Sequence, residues 1–273
     1  MAPCYELVQG SSPLLVSMPH IGTGLPAALE PRLSAEALRL VDTDWRVDEL
    51  YDFLPELQVS VIKPYYSRYV VDLNRAPNAV SLYPGKLVSE ICPLQSFAGV
   101  DLYQAGEQPG KREVKQRVQE YWQPYHRALA TELERLKSLH GYALLWDAHS
   151  IRGEVPRLFS GSLPDLNFGT ADGAACDAAL LARLEAVADS AQAYSWVAND
   201  RFKGGAITRL YVRPRQRLHA VQLELSQATY LQQDPSFQLC RQRAQALRPL
   251  LRELLDTTLN WKPATTGVPS CSP

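Results

Sequence analysis

The fold of this chain is decided by one stretch of its sequence, Tyr142-Ala143-Leu144-Leu145-Trp146-Asp147-Ala148-His149-Ser150. The first five residues are almost all apolar, which is typical of a strand buried at the centre of a parallel or mixed sheet. Such a strand delivers Asp147 and His149 to its carboxyl end, and open α/β sheets bind ligands at that edge. The stretch therefore predicts both the middle of a sheet and the place of a site.

Other strand patterns alternate with helical ones along the chain. We predict strands at residues 14–18, 59–62, 68–72, 194–197, 207–212 and 220–225. We predict helices at residues 44–53, 111–139, 172–188 and 236–254, with shorter helical structure after Ser34 and a kink or break at Pro124. The alternation predicts an α/β fold, with a mixed, mostly parallel sheet flanked by helices. Residues 1–261 would form a single domain and residues 262–273 a disordered tail.

Composition excludes several classes of function. The 273 residues are 46% hydrophobic and 21% charged, with a net charge of -1 and interspersed signs. We therefore expect no nucleic acid and no membrane as partner, and a small molecule instead. The apolar stretches are shorter than the roughly 20 residues that span a bilayer. The amino-terminal sequence lacks the pattern of a signal peptide, which predicts a cytoplasmic protein.

The cysteines predict no disulfide framework. They are five, an odd number, and no two form a C-x-x-C pair: Cys4, Cys92, Cys176, Cys240 and Cys271. We expect them to be reduced and without a role. A metal site would then consist of histidines and carboxylates.

Three strand ends carry chemistry-bearing residues, namely His20, His149 and Glu224. Two histidines and a carboxylate around an open position are the arrangement of catalytic zinc, and Glu224 would remove a proton from water. Other interpretations stay open. His20 fits a hydrogen-bonding loop residue, and Glu224 fits an edge strand with a solvent-facing side. His126 and His140 are expected at the surface. His219 precedes a buried strand, which favours either a role in supporting the site residues or a structural role.

Basic residues form a second group, Arg68, Arg75, Arg201, Lys203 and Arg209. Guanidinium groups bind carboxylates through two parallel hydrogen bonds. The group therefore favours a substrate with one or two carboxylates, although an exposed basic loop would also explain Arg201 and Lys203.

Six motifs within residues 14–231 resemble, in their order, the N-formylglutamate deformylase (N-formylglutamate amidohydrolase) family. They are Pro19-His20-x-Gly22-Thr23, Asp42-Thr43-Asp44-Trp45, Asp72-Leu73-Asn74-Arg75, Asp147-Ala148-His149-Ser150, Arg201-Phe202-Lys203-Gly204-Gly205-x-Ile207-Thr208-Arg209 and Gln222-Leu223-Glu224-Leu225-Ser226-Gln227. The resemblance implies a zinc-carboxypeptidase-like fold and hydrolysis of N-formyl-L-glutamate in histidine degradation. The chain is also similar to the aspartoacylases, which share the D-L-N-R and D-x-H motifs.

The sequence departs from the aspartoacylase pattern after His20, because no glutamate stands three residues further on. We therefore predict Asp44 as third ligand of Zn²⁺ or another divalent metal, beside His20 and His149, with Asp42 as the next choice. Glu224 would be the general base, and Arg68 would stabilise the developing negative charge.

The same resemblance guides the substrate contacts. Arg75 with Asn74 would hold one carboxylate, and Arg209 with Arg201 or Lys203 the other. Two rival functions remain. One is a related metal-dependent N-acyl amino acid deacylase or carboxypeptidase-like hydrolase, and the other is a non-catalytic module that binds carboxylates.

Overall fold

A computed structural model describes residues 3–77, 90–232, 234 and 236–264. In this part of the chain, seven strands form one sheet in the order β1-β3-β2-β4-β7-β5-β6. The strands are β1 (Tyr5–Val8), β2 (Leu14–Ser17), β3 (Ser60–Pro64), β4 (Ala143–Ile151), β5 (Leu166–Gly169), β6 (Trp196–Ala198) and β7 (Leu218–Ser226). The helices are α1 (Ala35–Leu38), α2 (Val47–Leu50), α3 (Lys111–Arg117), α4 (Gln123–His140), α5 (Ala178–Ser190), α6 (Ala206–Leu210) and α7 (Arg241–Asn260).

The centre of the sheet is parallel and its two margins are mixed. Strands β3, β2, β4 and β7 run parallel to one another. At the margins β1 is antiparallel to β3, and β5 is antiparallel to β7 but parallel to β6. This is the predicted α/β class with a mixed, mostly parallel sheet flanked by helices, and β4 is the predicted central strand.

Side chains of β4 alternate between two apolar cores, because successive strand residues point to opposite faces. Leu144 and Trp146 belong to the core that contains Leu184 of α5 and Leu251 of α7. Leu145 belongs to the other core, with Leu129 of α4. Helices therefore cover both faces of the sheet, and Asp147 and His149 lie on the α4 side of β4.

The long helix predicted at residues 111–139 is interrupted. Helix α3 continues into a π-helical turn, Val118–Trp122, before α4 begins. Pro124 lies in the first turn of α4, where its missing N–H and its ring oppose a regular helix across this point. The chain thus stays helical through Pro124, and a π-helical turn just before the proline takes the place of the predicted split.

Two predicted strands are wrong. Residues 68–70 form a turn, in which Val70 N donates to Ser67 O at 2.9 Å. Most of the segment predicted as a strand at 207–212 belongs to α6 instead, and Ile207 N donates to Asn74 Oδ1 at 2.8 Å. A local turn hydrogen bond in the first segment and a tertiary one in the second replace the strand that the β propensity of the branched side chains suggested.

Other element boundaries also differ from the predictions. Asp177, not Asp172, caps α5, and its carboxylate accepts the Ala179 N–H. The last helix spans 241–260 rather than 236–254. Strand β5 was not predicted, because Asn167 and Gly169 interrupt its apolar pattern.

The remaining expectations concern the ends of the domain, the cysteines and the membrane. The four described cysteines are free, and Cys271 lies outside the described residues. Most of the predicted tail, 265–273, also lies outside them, so the 1–261 boundary stays a prediction. Within the described ranges, no helix combines the length and apolar character needed to cross a membrane.

Candidate active site

Four segments bring the predicted site residues together at one edge of the sheet. His20 follows β2, Asp44 lies in the turn before α2, His149 lies in β4 and Glu224 in β7. Asp44 N donates to His20 O at 3.0 Å, which joins the first two segments. His149 stands opposite Glu224 in the parallel pairing of β4 with β7. Their side chains therefore share one face of the sheet.

Ligand atoms of His20, Asp44 and His149 lie within 4.8 Å of one another, and all three residues are buried. His149 Nδ1 is 3.0 Å from Asp44 Oδ2, and His20 Nδ1 is 3.7 Å from the same oxygen. Two imidazole nitrogens thus point to one carboxylate. This is a donor set that a divalent cation such as Zn²⁺ accepts.

The opposite nitrogen of each ring is held by a carboxylate. His20 Nε2 donates to Asp72 Oδ1 at 2.8 Å, and His149 Nε2 lies 3.1 Å from Asp147 Oδ2. Metal-binding histidines are commonly oriented in this way, by a carboxylate on the nitrogen that does not bind the metal. The residues present therefore fit a metal at the Nδ1 side of both rings.

The electrostatics of the cluster favour a cation. Burial lowers the pKa of His149, but Asp147 and Asp44 outweigh it and hold that pKa well above its ordinary value. Burial raises the pKa of Asp72, but Arg68 and His20 outweigh it and hold that pKa well below its ordinary value. The Asp72 carboxylate is therefore ionised although it is buried. A divalent metal would replace the proton of His149.

Glu224 differs from the other carboxylates. Burial raises its pKa to about 8, with the negative charge of Asp44 adding to the effect while His149 and Arg68 oppose it. Among the described residues, no group donates a hydrogen bond to its carboxyl group, which lines the cavity. A carboxyl group with a pKa near neutrality, open to a cavity beside a cation site, suits a general base. The alternative of an edge strand is wrong, because β7 lies between β4 and β5.

A cavity of about 620 Å³ opens onto the cluster. Its wall includes His20, His149 and Glu224, and from the basic group Arg68, Arg75 and Arg201. Arg68 is buried, donates to Asp72 Oδ2 at 2.7 Å, and lies over the Phe97 ring at 4.7 Å from its centroid.

Lys203 and Arg209 are not part of the described wall of this cavity. Lys203 Nζ pairs with Asp172 Oδ1 at 2.8 Å, and Arg209 Nε donates to Gly204 O at 3.1 Å. The structure thus places both beside the Gly204–Gly205 loop rather than with Arg75 and Arg201.

Asn74 lines the cavity, but its amide contacts other site residues. Its Oδ1 accepts the Ile207 N–H at 2.8 Å, and its Nδ2 lies 2.9 Å from His149 Nε2. A Cβ atom at Gly205 would collide with this amide, so glycine is needed there for the close approach. Asn74 Nδ2 donates to Asp147 Oδ2 at 3.4 Å, so this residue joins the α6 loop to the carboxylate that holds the His149 ring.

The two aspartates of the D-T-D-W motif are separated by the structure. Asp44 joins the histidines, whereas Asp42 Oδ2 accepts hydrogen bonds from Tyr69 Oη at 3.0 Å and Phe97 N at 2.8 Å. Of these two aspartates, only Asp44 belongs to the possible metal-binding group with His20 and His149. Asp42 instead holds the backbone of Phe97, a residue that lines the cavity.

Sequence reasoning missed several contributors. Asp72 and Gln222 were quoted in motifs but given no role in the site, although Gln222 lines the cavity. Gln222 follows from β7 alternation, because it lies two residues before Glu224 on the same face. Arg157 also lines the cavity. No motif pointed to it.

The other histidines differ in environment. His126 is buried at 3% exposure, so its prediction as a surface residue is wrong, and His140 is half-buried. His219 is buried, its Nδ1 accepts the Asp177 N–H at 3.2 Å, and its ring packs on Trp261. These contacts fit the structural role expected of His219.

Hydrolytic enzymes use such a donor set with a nearby carboxyl base, and the fold and the site together define the class of α/β amidohydrolases. Residues 12–231 match the family model described as N-formylglutamate amidohydrolase. The N-formylglutamate deformylase of Pseudomonas aeruginosa is 51% identical over 253 residues, which cover 93% of this chain and 95% of that protein. The chain belongs to the N-formylglutamate amidohydrolase family.

Two further comparisons agree. The N-formylglutamate deformylase of Pseudomonas putida is 47% identical, over 93% of this chain and 94% of that protein. A crystal structure of N-formylglutamate amidohydrolase from Ralstonia eutropha JMP134 superposes with a TM-score of 0.79 at 23% identity, and covers 94% of this chain and 99% of that one. The latter likeness confirms the fold.

Proposed function

We propose that this protein hydrolyses N-formyl-L-glutamate to L-glutamate and formate with the help of a divalent metal, Zn²⁺ being our first choice. The family and the deformylases of two Pseudomonas species support the substrate. The observation that carries the proposal is the convergence of His20, Asp44 and His149 beside the Glu224 carboxyl group in one cavity.

The metal would be held by Nδ1 of His20, Nδ1 of His149 and Oδ2 of Asp44. A bound metal polarises a carbonyl group and acidifies water in such a site. Asp72 and Asp147 keep the two rings in the orientation that presents Nδ1, through the contacts at 2.8 and 3.1 Å.

Glu224 acts as the general base and then as the general acid. Its carboxylate removes a proton from the attacking water while the water oxygen forms a bond to the formyl carbon. The same carboxyl group then delivers the proton to the glutamate nitrogen as the C–N bond breaks. Arg68, whose position is fixed by Asp72 and Phe97, stabilises the negative charge of the tetrahedral intermediate.

Arg75 and Arg201 bind the two carboxylates of the substrate, since both residues line the cavity and a guanidinium group pairs well with a carboxylate. Asn74 holds the site together more than it contacts substrate, because its amide faces Ile207 and His149. Lys203 and Arg209 support the Gly204–Gly205 loop. The substrate is thus a small dicarboxylate held by two arginines.

We also propose that the protein is located in the cytoplasm. The free cysteines fit the reducing conditions of that compartment.

Formate release from N-formyl-L-glutamate tests the proposal. The purified protein is assayed as prepared, after chelator treatment, and after addition of Zn²⁺. We expect release that is lost on chelation and restored by the metal. Parallel assays with N-acetyl-L-glutamate and glutamyl peptides should give little product. Faster cleavage of these compounds would reassign the substrate, and the absence of any release from metal-loaded protein would refute the proposal.

A further inference from the structure

Two side chains that the proposed chemistry does not use contact the segment that carries Arg75. Trp122 Nε1 donates a hydrogen bond of 2.9 Å to Arg75 O. His126 Nε2 lies 2.7 Å from Leu73 O. The two carbonyl groups flank Asn74, so the backbone is held on both sides of this residue.

The two side chains form a rigid pair. Trp122 and His126 are four residues apart, which places them on one face of the helix. Their rings stack with centroids 3.6 Å apart and planes inclined by 15°. Trp122 is also the last residue of the π-helical turn, a feature that is often found at functional sites.

The hydrogen-bond pattern defines the proton position on His126. Leu73 O is an acceptor, so His126 Nε2 carries the proton and Nδ1 accepts from Tyr211 Oη at 2.6 Å. Tyr211 follows α6, whose Ile207 N donates to Asn74 Oδ1. Residues 73–75 are thus fixed by α4 on one side and by the α6 region on the other.

We propose that Trp122 and His126 are positioning residues, which fix the direction in which Arg75 enters the cavity and thereby set the affinity for one substrate carboxylate. The inference rests on the proposed function, in which Arg75 binds that carboxylate. An arginine has several rotatable bonds, and a fixed backbone reduces the ordering that binding requires. Weakening the contact should therefore raise KM more than it lowers kcat.

The variant W122F tests this, because it keeps an aromatic ring on His126 and removes the Nε1 donor. We expect a two- to tenfold rise in KM for N-formyl-L-glutamate, the factor that one neutral hydrogen bond provides. The kcat and the metal content should stay unchanged. The matched control is W196F on the edge strand β6, which removes the 3.0 Å hydrogen bond from Trp196 Nε1 to Asp189 of α5. Its KM should equal that of the wild type.

Two further variants separate positioning from general packing. In an R75A background, W122F should have no further effect on KM, because Trp122 acts through Arg75. H126Q keeps a donor for Leu73 O and should retain a lower KM than H126F. A KM increase of the same factor with and without Arg75, or equal effects of W122F and W196F, would overturn the proposal.

Hydrogen exchange gives a readout that needs no turnover. Amides of residues 72–77 should exchange faster in W122F than in the wild type or W196F. Faster exchange with an unchanged KM would show a merely structural contact and overturn the positioning role. A wild-type protein that releases no formate would refute the proposed function by itself. If, in addition, the amides of residues 72–77 exchanged at the same rate in W122F as in the wild type, the proposal that Trp122 fixes the Arg75 backbone would be rejected as well.

Discussion

Replacing Glu224 by glutamine separates catalysis from stability. The carboxyl group is buried in the middle of β7, and in the described structure no group donates a hydrogen bond to it. Because burial raises its pKa to about 8, the metal-free protein holds it largely protonated at pH 7. Glutamine has nearly the same volume and is also neutral. We therefore expect E224Q to unfold at the wild-type temperature when both are metal-free at pH 7.

The catalytic effect should be large. Glutamine accepts no proton, so the loss of a general base should lower kcat by about 10²–10⁴, equivalent to roughly 3–5 kcal/mol in the barrier. The assay is formate release by metal-loaded protein, with bound zinc measured on the same sample. KM and zinc content should change little. A kcat within threefold of the wild-type value, at full zinc occupancy, would refute the reasoning.

The chain offers a matched control in Glu132, which is also a buried glutamate. Its carboxylate pairs with Arg135 at 2.5 Å and accepts from Ser60 Oγ at 2.5 Å, and it does not line the cavity. The variant E132Q should lower the unfolding temperature and leave kcat intact. The two glutamines would thus have opposite effects on activity and stability.

Three other predictions follow from the site and its surroundings. D72N removes the carboxylate partner of His20 Nε2 and should weaken zinc binding by about 10–100-fold, measured by chelator competition; unchanged affinity would exclude this orienting role. R75A should raise KM by about 10–100-fold, as expected for a lost charged hydrogen bond. K203A breaks a contact with Asp172 and should leave KM unchanged. Similar kinetics of the two variants would contradict the assignment of Arg75 to a substrate carboxylate. Burial lowers the pKa of His126 to about 4 from 6.5. As the pH falls, the unfolded chain therefore binds the proton before the folded protein does. About 3 kcal/mol of folding stability, which is fully present above pH 6.5, should be lost as the pH falls to 4. Urea unfolding should show a smaller loss in H126F, and parallel pH profiles would contradict this.

The main strands and the ends of β2, β4 and β7 were predictable because their apolar runs are unambiguous. His20, His149 and Glu224 followed from those strand ends. Asp44 did not, since Asp42 stands two residues away in the same turn. Only the tertiary contacts of Asp42 with Tyr69 and Phe97 distinguish the two.

Other parts of the site depend on contacts that no local pattern contains. The pairing of Asp72 with His20 requires the turn at residues 68–70, where β-branched residues suggested a strand. The grouping of Lys203 and Arg209 with Arg201 came from proximity in sequence. The loop through Gly204 directs these side chains to different surroundings. Short polar loops are positioned by the rest of the fold, and their sequences alone do not define it.

The pairing of His149 with Glu224 across β4 and β7 limits how this family can change in length. Strand residues alternate between the two faces of the sheet. A single residue inserted within β4 before His149, or within β7 before Glu224, would therefore turn that side chain toward the opposite helical layer. Insertions and deletions that preserve the site must therefore fall outside the paired stretches that begin at Ala143 and Leu218. Loops on the far edges of the sheet are free of this restriction. Variation in length among relatives should be concentrated there.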